Sequence, residues 1–314
     1  MNPELGRAVE ARLINGDVLQ ALALVQPDSC SLVVSSPPYN IRKSYERSDK
    51  RDFSEYVSWQ RDVIEMLVTK VNRNGSVCWQ VGNYVSDGEL FPLDLPFVEI
   101  FRALGFKLRN RIIWRYNFGL NADRRFSGRY ETILWFTKSD SYYFNLDPVR
   151  IPQIYPGKRH SAKKGDKAGL PSGNPLGKNP SDYWEFVAEN DFKSNPVWDI
   201  PNVKSRHPER TEHPCQFPVE LVERCVLALT QPGDTVLDPF LGTGASAIAA
   251  LKHGRNAIGI DRDATYLETA RDRLADLAAG VLPLRQFGRP VRRPRATEKV
   301  ARVPDEWAMH ASAK

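Results

Sequence analysis

The chain has 314 residues, 41% of them apolar, 26% charged and 10% aromatic, which excludes a wholly disordered or fibrous polypeptide. No apolar run approaches the roughly 18 residues of a membrane span, and the opening MNPELGRAVEARL lacks the apolar middle of an export signal, so a cytoplasmic location is expected. The net charge of +6 is unevenly placed: Lys+Arg outnumber Asp+Glu by 19 to 11 between Lys107 and Arg210 and by 8 to 3 from Val281 to Lys314, so a basic middle segment and a basic tail, on an otherwise acidic body, are suited to engaging a polyanion. Cys30, Cys78, Cys215 and Cys225 form no CxxC pair and the five histidines do not gather around them, so reduced thiols and no metal are expected.

In chain order, SLVVSS at 31–36 reads as a short buried strand ending at a double proline. Apolar residues from Phe53 to Val71 recur with a helical period, and Asn74-Gly75 is expected to end that helix before a strand SVCWQVG. A helix near Leu95–Leu104 and strands around Lys107–Tyr116 and Tyr130–Thr137 follow. Residues 148–214 are rich in Pro, Gly, Lys, Asn and Ser, with aromatic islands at Tyr183-Trp184 and Val197-Trp198, which favours an ordered binding insert. Pro218 is placed as the first residue of a helix to about Leu229. Strand TVLDP, a glycine loop, a helix near Ala245–His253, strand NAIGID and a helix near Ala264–Ala279 then make a βαβ unit, whose crossover implies a parallel sheet. The tail after Gly280 is too poor in apolar residues to build a core and reads as a flexible arm.

Asp238-Pro239-Phe240-Leu241-Gly242-Thr243-Gly244 lies between a strand and a helix, where Gly242 and Gly244 permit a sharp turn and close ligand approach. The next strand ends in Asp261, a carboxylate placed to accept hydrogen bonds from both hydroxyls of a ribose. A dinucleotide fits less well, because Ala247 stands where a third glycine would be and Asp238 would repel phosphates. S-adenosylmethionine, with a ribose, an ammonium, a sulfonium and no phosphate, fits better.

Ser36-Pro37-Pro38-Tyr39 follows a strand and so should lie at the ligand-binding edge of the sheet. The prolines lack N–H donors and hold their carbonyls rigidly. A hydroxyl, the Pro37 carbonyl and an aromatic face suit a planar ring bearing an amino group: two acceptors for its hydrogens and Tyr39 for stacking.

SSPPY at 35–39 followed far downstream by DPFLGTG at 238–244 resembles the amino-group DNA methyltransferases of the β order, in which the catalytic segment precedes the cofactor loop. Asn15-Gly16-Asp17 is similar to the family segment whose aspartate lies near the cofactor's adenine. Glu212–Pro218 looks like the segment opening the helix beside the cofactor's methionine end, which brings in Phe217, and Arg111–Arg115 resembles the strand bordering the target-base pocket. The resemblance implies an α/β, Rossmann-like S-adenosylmethionine-dependent methyltransferase fold with a mostly parallel sheet and a loop-rich target-recognition insert. Its parts would be 12–147 (catalytic half), 148–210 (recognition), 211–280 (cofactor half) and 281–314 (basic tail).

Serine at the first motif position usually accompanies cytosine N4 in this family, and aspartate adenine N6. The expected reaction is therefore methylation of cytosine N4 in double-stranded DNA at the prokaryotic nucleoid, with adenine N6 as the alternative. Transfer would be direct, to a flipped-out base. Cys215 is expected to pack rather than attack C6, because the Pro-Cys segment precedes the cofactor loop. Lys158, Arg159, Lys163, Lys164, Lys167 and Lys178 are candidates for phosphate contacts, as are Arg124, Arg125 and Arg129. A glutamine-methylating enzyme fits less well, since such enzymes carry the cofactor loop first and lack a basic insert. A cognate restriction endonuclease and a homodimer are compatible with the reading.

Overall fold

The computed structural model describes residues 9–41, 51–86, 88–116, 121–153, 155, 157–161, 165–184, 203 and 207–288. The chain enters through β1 (Ala11–Asn15), α1 (Val18–Ala23), β2 (Cys30–Ser35), α2 (Phe53–Val68) and β3 (Val71–Val81). A hairpin of β4 (Asn83–Ser86) and β5 (Glu89–Pro92) leads to α3 (Asp94–Ala103), β6 (Lys107–Arg115) and β7 (Tyr130–Thr137). After a loop-rich stretch come β8 (Tyr183–Trp184), α4 (Val219–Leu229), β9 (Thr235–Asp238), α5 (Ala245–Lys252), β10 (Asn256–Asp261) and α6 (Ala264–Ala278).

Among the described residues one eight-stranded sheet runs in the order β1-β10-β9-β2-β3-β7-β6-β8. Neighbours are parallel from β1 through β3; β7 runs antiparallel to both β3 and β6. The fold is thus α/β with a mostly parallel sheet. Its strands are buried on both faces, because consecutive side chains point to opposite sides. Leu32 and Val34 pack into the core beneath α4, α5 and α6, while Val33 packs with residues of α1, α2 and α3 on the other face. From β2 the chain crosses by α2 to β3, and from β9 by α5 to β10 on the opposite side. The β2–β9 boundary is therefore the topological switch point, where open α/β sheets form their ligand crevice.

Three expectations need correction. The second helix ends at Val68, and β3 begins at Val71 and runs through Asn74-Gly75. Val71 pairs with Cys30 and the register then shifts before Leu32, so the glycine serves a strand irregularity. A Cβ on Gly75 would lie 2.7 Å from Val71 Cγ1 and 3.1 Å from the Cys30 carbonyl, which only glycine avoids. Pro218 caps α4 in an extended conformation (φ −68°, ψ 134°), and the helix starts one residue later. Finally, the first residues after Gly280 are anchored: Arg285 N donates to Glu209 Oε1 at 3.2 Å, Gly288 N donates to Glu220 Oε1 at 2.9 Å, and the Arg285 guanidinium pairs with Glu220. Buried carboxylates hold this segment together with apolar contacts, since Leu282 and Leu284 also pack against the core. The tail arginines from Arg289 onward and Val197-Trp198 lie outside the described residues.

β1, α1 and β8 go beyond the elements expected from sequence. The first matters most, because the parallel pairing of β1 with β10 sets Asn15 opposite Asp261. Trp184 is buried and donates from Nε1 to the Ser181 carbonyl at 3.0 Å, so the loop-rich stretch returns to the sheet edge beside β6.

Candidate active site

The carboxyl ends of β1, β10, β9 and β2 lie side by side and deliver, in that order, Gly16-Asp17, Asp261, the Asp238–Gly244 loop and Ser36–Tyr39 to one cavity of about 630 Å³. That volume falls in the ~300–1,000 Å³ range of small-molecule sites. Asp17, Phe217, Asp238, Pro239, Phe240, Gly242, Thr243 and Asp261 all line it, as do Ser36, Pro37, Pro38 and Tyr39. Two loops some two hundred residues apart in sequence thus share one chamber.

They are also bonded to each other. Ser35 Oγ donates to Asp238 Oδ1 at 2.6 Å, across adjacent strands. Asp238 accepts two more bonds, from Ser246 Oγ at 2.6 Å and Phe240 N at 3.0 Å. This modifies the expectation that Asp238 addresses a cationic ligand: its hydrogen bonds tie the cofactor loop to α5 and to the catalytic strand. Burial pushes its carboxyl up to about 6, although the Ser246 and Ser35 bonds and the Phe240 N–H pull the other way.

Asp261 is similarly occupied. Its Oδ2 accepts from Gly242 N at 2.8 Å and its Oδ1 from Asp263 N at 2.9 Å. Each oxygen retains a second lone pair, so ribose recognition remains open to it. Gly242 adopts φ +53°, the left-handed backbone that favours glycine, and this turn sets it beside His213, whose Nε2 an added Cβ would meet at an ordinary contact distance of 3.4 Å. Gly244 does not line the cavity. It caps α5 at φ +88°, and a Cβ would stand 3.0 Å from Ala270 Cβ, so it sets how closely the loop packs on α6.

Asp17 caps α1, accepting from Leu19 N at 2.9 Å and Gln20 N at 3.4 Å. Asn15 Nδ2 donates to the Asp261 and Arg262 carbonyls at 3.0 and 3.1 Å, holding the two acidic strand ends together. On the catalytic side Tyr56 Oη donates to the Pro38 carbonyl at 2.8 Å, so α2 fixes the double proline. Ser36 Oγ lies 3.0 Å from Tyr39 Oη, which donates to Glu131 Oε2 at 3.2 Å.

A protein-family model described as DNA methylase matches residues 30–272. This chain belongs to that family. It is 45% identical over 260 residues to the type II methyltransferase M.BglII of Bacillus subtilis, covering 82% of this chain and 67% of the relative. It is 29% identical over 267 residues to the DNA adenine methyltransferase YhdJ of Escherichia coli K12, covering 83% and 82% of the two chains. The fold is similar to that of the cytosine-N4-specific PvuII DNA methyltransferase, with a TM-score of 0.62 at 18% identity over 91% of this chain and 98% of that one. It is also similar to the Thermus thermophilus protein TTHA0409, solved in complex with S-adenosyl-L-methionine; the TM-score is 0.57 at 26% identity over 87% and 97% of the chains.

The methylase's chamber also holds residues that the motifs did not flag. Glu131 on β7 accepts from Tyr39, from Gln80 Nε2 on β3, and from Tyr116 Oη at 3.4 Å. Burial, and then the Glu131 charge, push the Tyr116 phenol well above its ordinary range, keeping it a protonated donor. His213 packs edge-on against Tyr266 at 4.5 Å, and its Nδ1 accepts from Cys215 N at 3.2 Å. Burial lowers its imidazole to about 4, so near neutral pH it is an uncharged cavity wall. Cys215, expected as a small packing residue of the segment that opens α4, is instead exposed and lines the chamber.

Among the proposed phosphate contacts, Lys158 and Arg159 lie on a loop closed by the Lys158 carbonyl, which accepts from Ser172 N at 2.9 Å. The Arg159 guanidinium donates to the Gly169 carbonyl at 2.5 Å, a bracing role beside any role toward DNA. Lys163 and Lys164 lie outside the described residues.

Two predictions arise here. Gly82 backs the Tyr39 ring, and a Cβ there would stand 3.0 Å from Tyr39 Cε2 and 3.3 Å from Cδ2. Gly82→Ala should therefore displace the ring toward the cavity and lower the methylation rate about tenfold, with a loss of only about 1 kcal/mol in stability. Single-turnover kinetics and thermal melting of the same preparation check it. An unchanged rate would show that the ring has room to move.

The second prediction concerns pH. The unfolded chain releases the Asp238 proton in the ordinary carboxylate range, whereas the folded chain holds it to about 6. The folded state thus binds the extra proton between those values, and this group's contribution to stability falls as pH rises through that window, by up to ~3 kcal/mol. Asp238→Asn lacks this slope, so its denaturant midpoint should gain on the parent's between about pH 4 and pH 6.5. Parallel midpoints across the window would mean that Asp238 is not raised.

Proposed function

We propose that this methylase transfers the methyl group of S-adenosylmethionine to the exocyclic N4 of cytosine, at a specific site in double-stranded DNA. The observation that carries the choice of base is Ser36, a neutral hydroxyl at the first position of the catalytic tetrapeptide, opening on the chamber beside Tyr39.

S-adenosylmethionine supplies an electrophilic methyl carbon on a sulfonium. The chamber fits such a ligand: Asp17 and Asp261 stand together for the nucleoside end, and the left-handed turn at Gly242 lines the wall between the loop and His213. Phe217 and the neutral His213 add cover from the segment before α4. Asp238 acts by fixing the loop that holds the cofactor.

The target nitrogen shares its lone pair with the ring and is a poor nucleophile. Ser36 Oγ and the Pro37 carbonyl accept its two hydrogens, favour a pyramidal nitrogen and aim its lone pair, while Tyr39 stacks on the ring. Transfer would form the N–C bond as the sulfonium S–C bond breaks, with S-adenosylhomocysteine as the leaving group and the surplus amine proton passing to solvent; no covalent enzyme intermediate is needed, and positioning and fixed dipoles provide the acceleration. The base pairs through this amine in the duplex, so it must be extruded first.

The segment 148–210 reads the target sequence, and Lys158 and Arg159, with Lys163 and Lys164, contact phosphates. The loop Asn121–Arg129 between β6 and β7 adds Arg124, Arg125 and Arg129, braced by the Arg129 Nη2 to Asn121 Oδ1 bond of 2.7 Å. Digesting DNA methylated by the protein to nucleosides and identifying the modified one by mass spectrometry tests the base. N4-methyl-2′-deoxycytidine supports the reading and N6-methyl-2′-deoxyadenosine alone replaces it with the adenine alternative. Modification-sensitive sequencing of host DNA supplies the site.

A further inference from the structure

We infer that Glu131 is a positioning residue for the transfer, acting through Tyr39 to hold Ser36 as a hydrogen-bond acceptor toward the target amine. The inference deepens the proposed function and holds for either base, because both present two N–H donors.

The argument begins with donor counting. A carboxylate can only accept, and the hydroxyl of Tyr39, the amide of Gln80 and the hydroxyl of Tyr116 all donate to Glu131. Tyr39 has one hydroxyl hydrogen, directed at Glu131 Oε2. Its contact of 3.0 Å with Ser36 must then run the other way, with Ser36 Oγ–H donating to Tyr39 Oη. Ser36 has one hydrogen too, so the remaining capacity of its Oγ is acceptor lone pairs, the polarity an incoming amine requires.

Without the Glu131 charge both hydroxyls can reverse. Tyr39 could donate to Ser36, whose hydrogen would turn toward the amine and set donor against donor. The sequence separation hides this chain: residues 36, 39, 80, 116 and 131 come from the ends of β2, β3, β6 and β7, and meet only through the strand pairing. Stacking by Tyr39 needs only its ring; the polarity argument gives its hydroxyl a separate task.

The test is a double-mutant cycle on the full chain. Tyr39→Phe keeps the ring and deletes the link, and Glu131→Gln keeps the shape and deletes the charge. Each should lower the single-turnover methylation rate about tenfold or more. The double variant should be no slower than the slower single within about threefold, because both break one chain. Affinity for S-adenosylhomocysteine, affinity for duplex carrying the methylation site, and fluorescence of 2-aminopurine beside the target should stay within about threefold of the parent. These readouts separate a polarity defect from a collapsed pocket.

Additive losses in the double variant, or a parental rate in Glu131→Gln, would overturn the inference. So would losses explained wholly by weaker cofactor or DNA binding. A parent protein that methylates no DNA would instead remove the proposed function on which the inference rests.

Discussion

Ser36→Ala should lower single-turnover methylation by about 100- to 1,000-fold, the range seen when one preorganised hydrogen-bonding group is removed from a reacting centre. Ser36 lies at the edge of the chamber and is half-buried, and its hydroxyl meets that of Tyr39. Removing its oxygen therefore subtracts an acceptor from the amine while leaving the core intact, and thermal stability should change by less than about 0.5 kcal/mol. Ser36→Asp retains an acceptor and should keep more activity than Ser36→Ala.

The adjacent serine supplies the contrast. Ser35 is fully buried and its hydroxyl donates to the Asp238 carboxylate. Ser35→Ala should cost about 1–3 kcal/mol, because it removes a bond to a buried charged group. If Ser36→Ala were as active as the parent, with N–H acceptance supplied elsewhere, the proposed chemistry at the tetrapeptide would fail.

The division of labour between two neighbouring serines shows what a sequence discloses about this site. Strand ends, glycine turns and the double proline leave local signatures, and β7 and β10 run over the expected residues, Tyr130–Thr137 and Asn256–Asp261. The convergence of the two motifs was legible because parallel strands place both loops at one edge. What each side chain bonds to was not. Asp238 reads as a charge awaiting a cation, yet three donors from β2, α5 and its own loop claim it.

Glu131 and Gln80 carried a signal of another kind. Gln80 lies between Trp79 and Val81, and Glu131 stands at the start of a largely apolar strand; a polar side chain in such a strand needs a partner where it is buried. Their partners come from different strands, so only the register discloses them. β1 and α1 are short, six residues or fewer each, and lack the length from which periodicity is read. The segment after Gly280 misled for a related reason: the low apolar content of the whole tail hides Leu282 and Leu284, which pack on an existing core, and says nothing about buried carboxylates that bond its arginine and amides.

Those carboxylates set the largest expected change in stability. Glu220 and Arg224 lie one turn apart on α4, each about 1% exposed, joined by a bond of 3.1 Å from Arg224 Nη2 to Glu220 Oε1. Arg285 pairs with the other Glu220 oxygen and is 9% exposed. Phe287 lies against the Arg224 guanidinium at 5.0 Å from Cζ to the ring centroid. Burial lowers the Arg224 guanidinium to about 9 while the Glu220 charge works to raise it. The guanidinium is therefore a cation near neutral pH, and Glu220 is the carboxylate that compensates it in the interior.

Glu220→Gln keeps the volume and removes the negative charge, leaving two guanidinium groups facing each other in a poorly solvated space. Breaking a buried pair from one side costs about 3–5 kcal/mol, since the surviving charge is left uncompensated. The segment from Val281 to Gly288 should also loosen, because Gly288 N and Arg285 both bond to Glu220. Equilibrium unfolding would show the loss, and faster hydrogen exchange at Gly288 would show the released segment. A variant as stable as its parent would mean that the two arginines find other compensation, and that the anchoring of the tail does not depend on this carboxylate.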